Sequence, residues 1–218
     1  MRPVVFLGPS LSHDEARFLI DADLRPPVKR GDLPQLPEDT EVVAIIDGVF
    51  LGEAAVGHRE ILDLLRSGKQ VWGSSSMGAL RAAELRTFGM KGVGDVYEAY
   101  ATGKVEGDDE VALAFDPDSL EALSEPLINV RLNLKAVVEQ GILSEEESRH
   151  VLDQFKALYF PRRNLMALSL LVKESVDAKK TSDFETFLSM SYVDFKKKDA
   201  IDLLEILRGR KRASKTDK

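Results

Sequence analysis

The chain has 218 residues, 44% apolar and 31% charged, a balance that supports a buried core and excludes a disordered chain. Its net charge of −7 argues against a dedicated nucleic-acid binder, which carries a basic surface, and no apolar run approaches a membrane span. With no cysteine and three histidines, the sequence excludes disulfides, thiolate zinc sites, a catalytic thiol and a persulfide carried on the protein, and it disfavours a multi-histidine metal site.

Residues 4–7 (Val-Val-Phe-Leu) form a run of the buried-strand kind, followed by Gly8-Pro9-Ser10. A helix is expected over residues 12–20, with Ser12 as N-cap and Glu15 completing a capping box. Pro26-Pro27-Val28-Lys29 reads as a short extended segment. A second apolar strand, residues 42–46, ends at Asp47-Gly48. Residues 60–66 place Ile61, Leu62, Leu64 and Leu65 at helical spacing and stop at Gly68. Val71-Trp72 is the last expected strand, and residues 77–88 are the helix after it. Strands alternating with helices predict an α/β fold: a small, mostly parallel sheet flanked by helices. Three loops then fall at the carboxyl ends of strands, the edge at which open parallel sheets bind ligands. Ser10, Asp47 and Ser76 are thereby expected to converge.

Beyond Met90 the pattern changes. Gly92, Gly94, Gly103 and Gly107 punctuate a glycine-rich middle, and from Leu120 onward no strand is expected. Helical spacing covers residues 127–139, 145–160, 164–172, 184–190 and 198–207, with Ser144 and Glu147 as a further capping box. The organisation expected is an α/β core over residues 1–115, an α-helical region over 116–207, and a basic, unstructured tail over 208–218. No charged segment leads into a long apolar stretch at the N-terminus, so a cytoplasmic protein is expected.

The run Gln70-Val71-Trp72-Gly73-Ser74-Ser75-Ser76-Met77-Gly78-Ala79-Leu80-Arg81 carries the chemistry. It reads as a strand, a tight turn and a helix, a geometry that exposes a serine beside the first helix amides. Ser76 is the first choice of nucleophile, with Ser74 and Gly78 as the small residues two before and two after it, and Met77 supplies the adjacent amide. Ser75 is the rival for either role. The same turn also suits an anion-binding helix start capped by serines. A nucleophilic serine needs a base, and His58 is the histidine placed to help; the alternative is a helix-start histidine bonded to Glu60 or a carbonyl. Asp47 ends the most apolar strand, where a carboxylate is costly to bury unless paired; otherwise Asp47-Gly48 is a turn pair. Arg81 and Glu84, three apart on one helix, either form an ion pair or place the guanidinium near an anion at Ser76. Gly107-Asp108-Asp109-Glu110 either offers carboxylates to Mg²⁺ or opens a helix. Gly31-Asp32 is a turn or a polar group aimed into the cleft.

Six ordered pieces within roughly residues 4–115 resemble the TfuA-like proteins: Phe6-Leu7-Gly8-Pro9-Ser10-Leu11; Arg25-Pro26-Pro27 with Gly31-Asp32-Leu33; Ile46-Asp47-Gly48-Val49-Phe50; His58-Arg59-Glu60-Ile61-Leu62; the block from Gly73 to Leu85; and Gly89-Met90-Lys91-Gly92-Val93-Gly94. The resemblance implies a partner of a YcaO-type enzyme, which uses ATP to activate a peptide-bond oxygen that is then replaced by sulfur, giving a thioamide. ATP and Mg²⁺ would belong to that partner, and no cofactor or metal is expected on this chain. The TfuA-like protein would recruit or release the sulfur. Since this chain has no cysteine to relay a persulfide, release of sulfide from a thiocarboxylate on a small sulfur-carrier protein is the reaction expected of it, as a serine-type hydrolase in modified-peptide biosynthesis. Ser76 would attack, Met77 N–H would hold the oxyanion, and His58 or Asp47 would supply base or orientation. Ser75, Ser10 and Arg81 are expected to bind the anion, supported by Glu84, Glu60 and Asp32. The alternative is an adaptor that clamps a carrier tail or peptide and docks it on YcaO. A nucleotide-binding domain ranks low, because neither a Gly-x-x-x-x-Gly-Lys-[Ser/Thr] loop nor a Gly-x-Gly-x-x-Gly turn follows the first strand. Neither a nucleic acid nor a membrane is expected as a partner.

Overall fold

The computed structural model describes residues 2–50 and 54–216. The chain divides into two compact units: Met1–Asp108 together with Lys196–Lys218, and Asp109–Phe195.

The first unit is built on five strands, β1 (Val4–Phe6), β2 (Asp23–Arg25), β3 (Val42–Ile45), β4 (Gln70–Ser74) and β5 (Lys91–Val93), in the order β2-β1-β3-β4-β5 and all parallel. Its helices are α1 (His13–Leu19), α2 (His58–Arg66), α3 (Met77–Leu85) and α4 (Asp95–Ala101). The two short edge strands β2 and β5 were not expected from the sequence. Each has three residues, half-exposed and partly charged or glycine, so neither carries the apolar run that marks a buried strand.

The expected apolar runs fill the centre of the sheet. Because side chains alternate along a strand, each run feeds both faces. Val4, Phe6, Val43, Ile45 and Val71 pack on one face with Ile61 and Leu64 of α2 and Met77, Ala82 and Leu85 of α3. Val5, Leu7, Ala44, Ile46 and Trp72 face the other side, with Leu11, Ala16 and Ile20.

That second face is completed by a helix from the far end of the sequence. After α5 (Leu127–Glu139), α6 (Glu145–Ala157), α7 (Leu165–Ser175) and α8 (Ala178–Met190), helix α9 (Phe195–Thr216) lays Ala200, Leu203, Leu204 and Leu207 on it. Residues 208–216, expected to lack structure, continue this helix. Lys and Arg propagate a helix well once it is nucleated. Arg210 also places its guanidinium 4.5 Å from the centre of the Trp72 ring, with Lys91 Nζ at 4.8 Å from it.

The second unit is helical. Leu127, Val130, Leu134 and Val137 of α5 meet Val151 and Phe155 of α6, Leu168 and Val172 of α7, and Phe184 and Phe187 of α8. The Ser144–Glu147 capping box forms at the start of α6. Two buried amides on α5, Asn129 and Asn133, hold the segment that leads into α9: Asn129 Nδ2 donates to Asp194 at 3.0 Å, and Asn133 exchanges bonds with the Val193 backbone at 2.8 and 2.9 Å.

The strand order reverses direction between β1 and β3. At such a switch point the loops leaving the two strands turn opposite ways and open a crevice at the carboxyl edge. The Gly8-Pro9-Ser10 loop and Asp47 leave these two strands, and the serine turn leaves β4 next to them.

Candidate functional site

Asp47 organises the crevice. Its carboxylate is 1% exposed and accepts three hydrogen bonds from the β1 loop: Gly8 N–H (2.9 Å) and Ser10 N–H (3.0 Å) on Oδ2, and the Ser10 hydroxyl (2.6 Å) on Oδ1. Three donors, two of them fixed backbone amides, offset the cost of burying the charge. Of the two readings of Asp47, a paired buried carboxylate or a plain turn residue, the network corresponds to the first.

The chain of bonds continues into the serine turn. The Ser75 hydroxyl donates to Ser10 Oγ at 2.8 Å. Ser75, Ser10 and Asp47 thus form a buried relay in which each proton points toward the carboxylate. Ser10 and Asp47 converge as expected, and the serine joined to them is Ser75, where Ser76 was the first choice.

Backbone geometry explains why. Ser75 has φ +66°, in the left-handed region that a non-glycine residue rarely occupies. The Ser76 amide bonds back to the Ser74 carbonyl at 2.8 Å, closing a γ-turn centred on Ser75. This sharp reversal aims the Ser75 side chain at the β1 loop. It is possible because Gly73 and Gly78 touch: a Cβ on Gly73 would sit 2.0 Å from the Gly78 carbonyl oxygen, and one on Gly78 would sit 1.7 Å from that of Ile45. The close small-residue pair is therefore Gly73 and Gly78, with Ser74 outside it. A signal for this was present in the sequence as Gly73-Ser74-Ser75, a glycine two residues ahead of the serine. Ser74 itself bonds elsewhere, its hydroxyl lying 2.9 Å from the Val93 carbonyl and 2.8 Å from that of Asp199.

The first turn of α3 supplies donors. The Gly78 amide is taken by the Ile46 carbonyl at 3.2 Å, and the Ala79 and Leu80 amides by the Ser76 carbonyl. The Met77 amide, at the first position of α3, has no backbone acceptor among the described residues. Ser76 is 2% exposed, and its side chain caps none of these amides.

The remaining residues form separate clusters. His58 Nε2 lies 2.7 Å from Glu84 Oε2, which also accepts from Arg81 at 2.7 Å; Arg81 Nε donates to the Val56 carbonyl at 3.3 Å. His58 is thus bonded to Glu84, neither to the serine turn nor to Glu60. Glu60 accepts from the Gly31 amide at 2.9 Å and the Gly57 amide at 3.3 Å, tying the Gly31 loop to the start of α2. Asp32 accepts from the Lys29 amide at 2.9 Å and closes its own turn. In the acidic run after Gly107, Glu110 is 3% exposed and accepts from Arg131 at 2.6 and 3.0 Å. Among the described residues no cluster of three or more histidine, aspartate or glutamate side chains is arranged to hold a metal ion, and no helix is long and apolar enough to cross a membrane.

A family model described as TfuA-like protein matches residues 47–164, just over half of the chain. The match begins at Asp47 and includes the whole serine turn. No curated protein matches the chain.

Proposed function

Because the chain belongs to the TfuA-like family, we propose that it serves a YcaO-type enzyme as the accessory protein of peptide backbone thioamidation, releasing sulfide from a carrier-protein thiocarboxylate at Ser75. The observation that carries this reading is the relay Ser75–Ser10–Asp47 on a strained turn beside the Met77 amide.

In the first step the Ser75 oxygen attacks the thiocarboxylate carbon. Its proton passes to Ser10 Oγ as the Ser10 proton passes to Asp47, and the Met77 N–H faces the oxyanion. Collapse breaks the carbon–sulfur bond. Sulfide leaves as HS⁻, taking up the proton, and the carrier remains as an ester on Ser75. Water then cleaves the ester, giving the carrier carboxylate and free Ser75. All sulfur leaves as sulfide, which suits a chain without cysteine. Ser75 is 0% exposed and Asp47, Ser76 and Ser10 are each under 5%, so on this reading a carrier's C-terminal tail reaches Ser75 when the turn opens.

Sulfide release from a thiocarboxylated carrier, followed over time, tests the reading: Ser75→Ala should abolish it with folding intact. Release at the wild-type rate would overturn it. One observation favours the adaptor instead. The histidine expected as base is bonded to Glu84, so the serine relay has only a carboxylate at its end. In that case the Met77 amide and the serine hydroxyls clamp a carboxylate without breaking a bond. A serine-directed covalent probe separates the two readings: labelling of Ser75 fits the hydrolase, and no labelling fits the clamp.

A further inference from the structure

Helix α9 holds the exit of β4 through one residue. Asp199 is fully buried, and its carboxylate caps α4, accepting from the Asp95 amide at 3.0 Å and the Val96 amide at 2.8 Å. Its own backbone carbonyl receives the Ser74 hydroxyl at 2.8 Å. The approach is close enough to require glycine at position 94, where φ is +100° and a Cβ would lie 2.2 Å from the Asp199 carboxyl carbon. One residue thus joins α9, the start of α4 and the last residue of β4, immediately before Ser75.

We propose that Asp199 is the positioning residue of the serine turn, and that ionisation of its carboxyl sets how firmly α9 holds the exit of β4. This inference rests on the reading of that turn as the functional site. The charged groups around the carboxyl are few. Asp95 on α4 opposes its ionisation. Lys198, on α9 itself, favours ionisation from 3.9 Å but is shared with Asp95 at 3.0 Å and Asp202 at 2.9 Å. From β4 the Ser74 hydroxyl meets the Asp199 backbone carbonyl and leaves the carboxyl to the Asp95 and Val96 amides. Burial dominates this balance and pushes the pKa of the carboxyl up to about 7. The folded protein then carries a neutral Asp199 in mild acid and a charged one in mild base. Since the charged form is the one that burial penalises, α9 is released more often as pH rises.

The fold contains a reporter for this event. Trp72, the single tryptophan, lies on β4 two residues before Ser74 and under α9. The test is amide hydrogen exchange of the whole protein from pH 5 to pH 8, corrected for the intrinsic rate, with acrylamide quenching of Trp72 alongside. The opening equilibrium of α9 is expected to rise about a hundredfold over that range in the wild type and to stay flat in Asp199→Asn. Peptides containing Ser76 and Gly78 should follow α9, and Trp72 quenching should rise with them. A flat profile in the wild type overturns the proposal, and so does opening of α9 that leaves the Ser76 and Gly78 amides unchanged. Sulfide release is a separate readout. Its absence alongside the expected exchange profile counts against the thiocarboxylate reading alone.

Discussion

The hydroxyl of Ser75 donates to Ser10 Oγ at 2.8 Å, joining two loops that lie 65 residues apart. The Ser10 hydroxyl is committed in turn to Asp47 at 2.6 Å. On the proposed reading the second serine of the turn is the nucleophile, and Ser76 serves as the natural control.

Sulfide release should therefore fall at least about a thousandfold in Ser75→Ala and only a few-fold in Ser76→Ala. Asp47→Asn keeps the shape of the relay but removes its proton acceptor, and should cost about a hundredfold or more. Progress curves for the three variants, normalised to folded protein by circular dichroism, check this ordering. Equal losses in Ser75→Ala and Ser76→Ala would point to damage to the turn.

Gly78→Ala should destabilise the protein by about 3 kcal/mol or more, because the new Cβ meets the Ile45 carbonyl oxygen at 1.7 Å and neither backbone can withdraw. Gly103→Ala is the matched control. Its φ of +71° makes alanine strained, but nothing lies within 4 Å, so about 1 kcal/mol is expected. Urea unfolding of the two variants measures the difference.

In the helical unit, Glu110→Ala should cost about 2 kcal/mol, since it leaves the half-buried Arg131 without the carboxylate that holds it through two bonds. Glu110→Gln retains an acceptor and should cost less. Hydrogen exchange in α5 is the sensitive readout, because Arg131 lies on that helix.

Stability should fall as pH rises from about 4 to 7. The folded-state pKa of Asp199 is raised by burial to about 7, above the ordinary value of about 3.9, so over this window the folded chain holds a proton that the unfolded chain has lost. The stabilisation is full below pH 4 and gone above pH 7, an effect of about 4 kcal/mol at most. In stronger acid the opposite sign applies. Glu15, held below its usual range by Lys197, and Glu147, held so by Lys180, lose their contributions as they take up protons. A maximum at about pH 4 is expected in a series of melting curves, and Asp199→Asn should flatten its alkaline side.

What the sequence alone determined is what rests on local pattern. Runs such as Val42-Val43-Ala44-Ile45 must be buried on both faces, and with helical spacing between them they specify a parallel sheet. The capping residues Ser12 and Ser144 mark helix starts because a side-chain oxygen there meets an amide only three residues away. The small-residue turn after β4 announced itself by composition. What only the tertiary structure decided is what rests on meetings between distant segments. β2 and β5 are strands because a neighbour offers them hydrogen bonds; their own residues carry no such signal. The apolar stripe of α9 shows that it is buried, but not that it returns across more than a hundred residues to close the sheet and grip Ser74. Which of the two serines bonds to Ser10 was decided in the same way. Two adjacent serines have the same side chain, and it is the contact of Gly73 with Gly78 that bends the backbone so that Ser75 reaches Ser10.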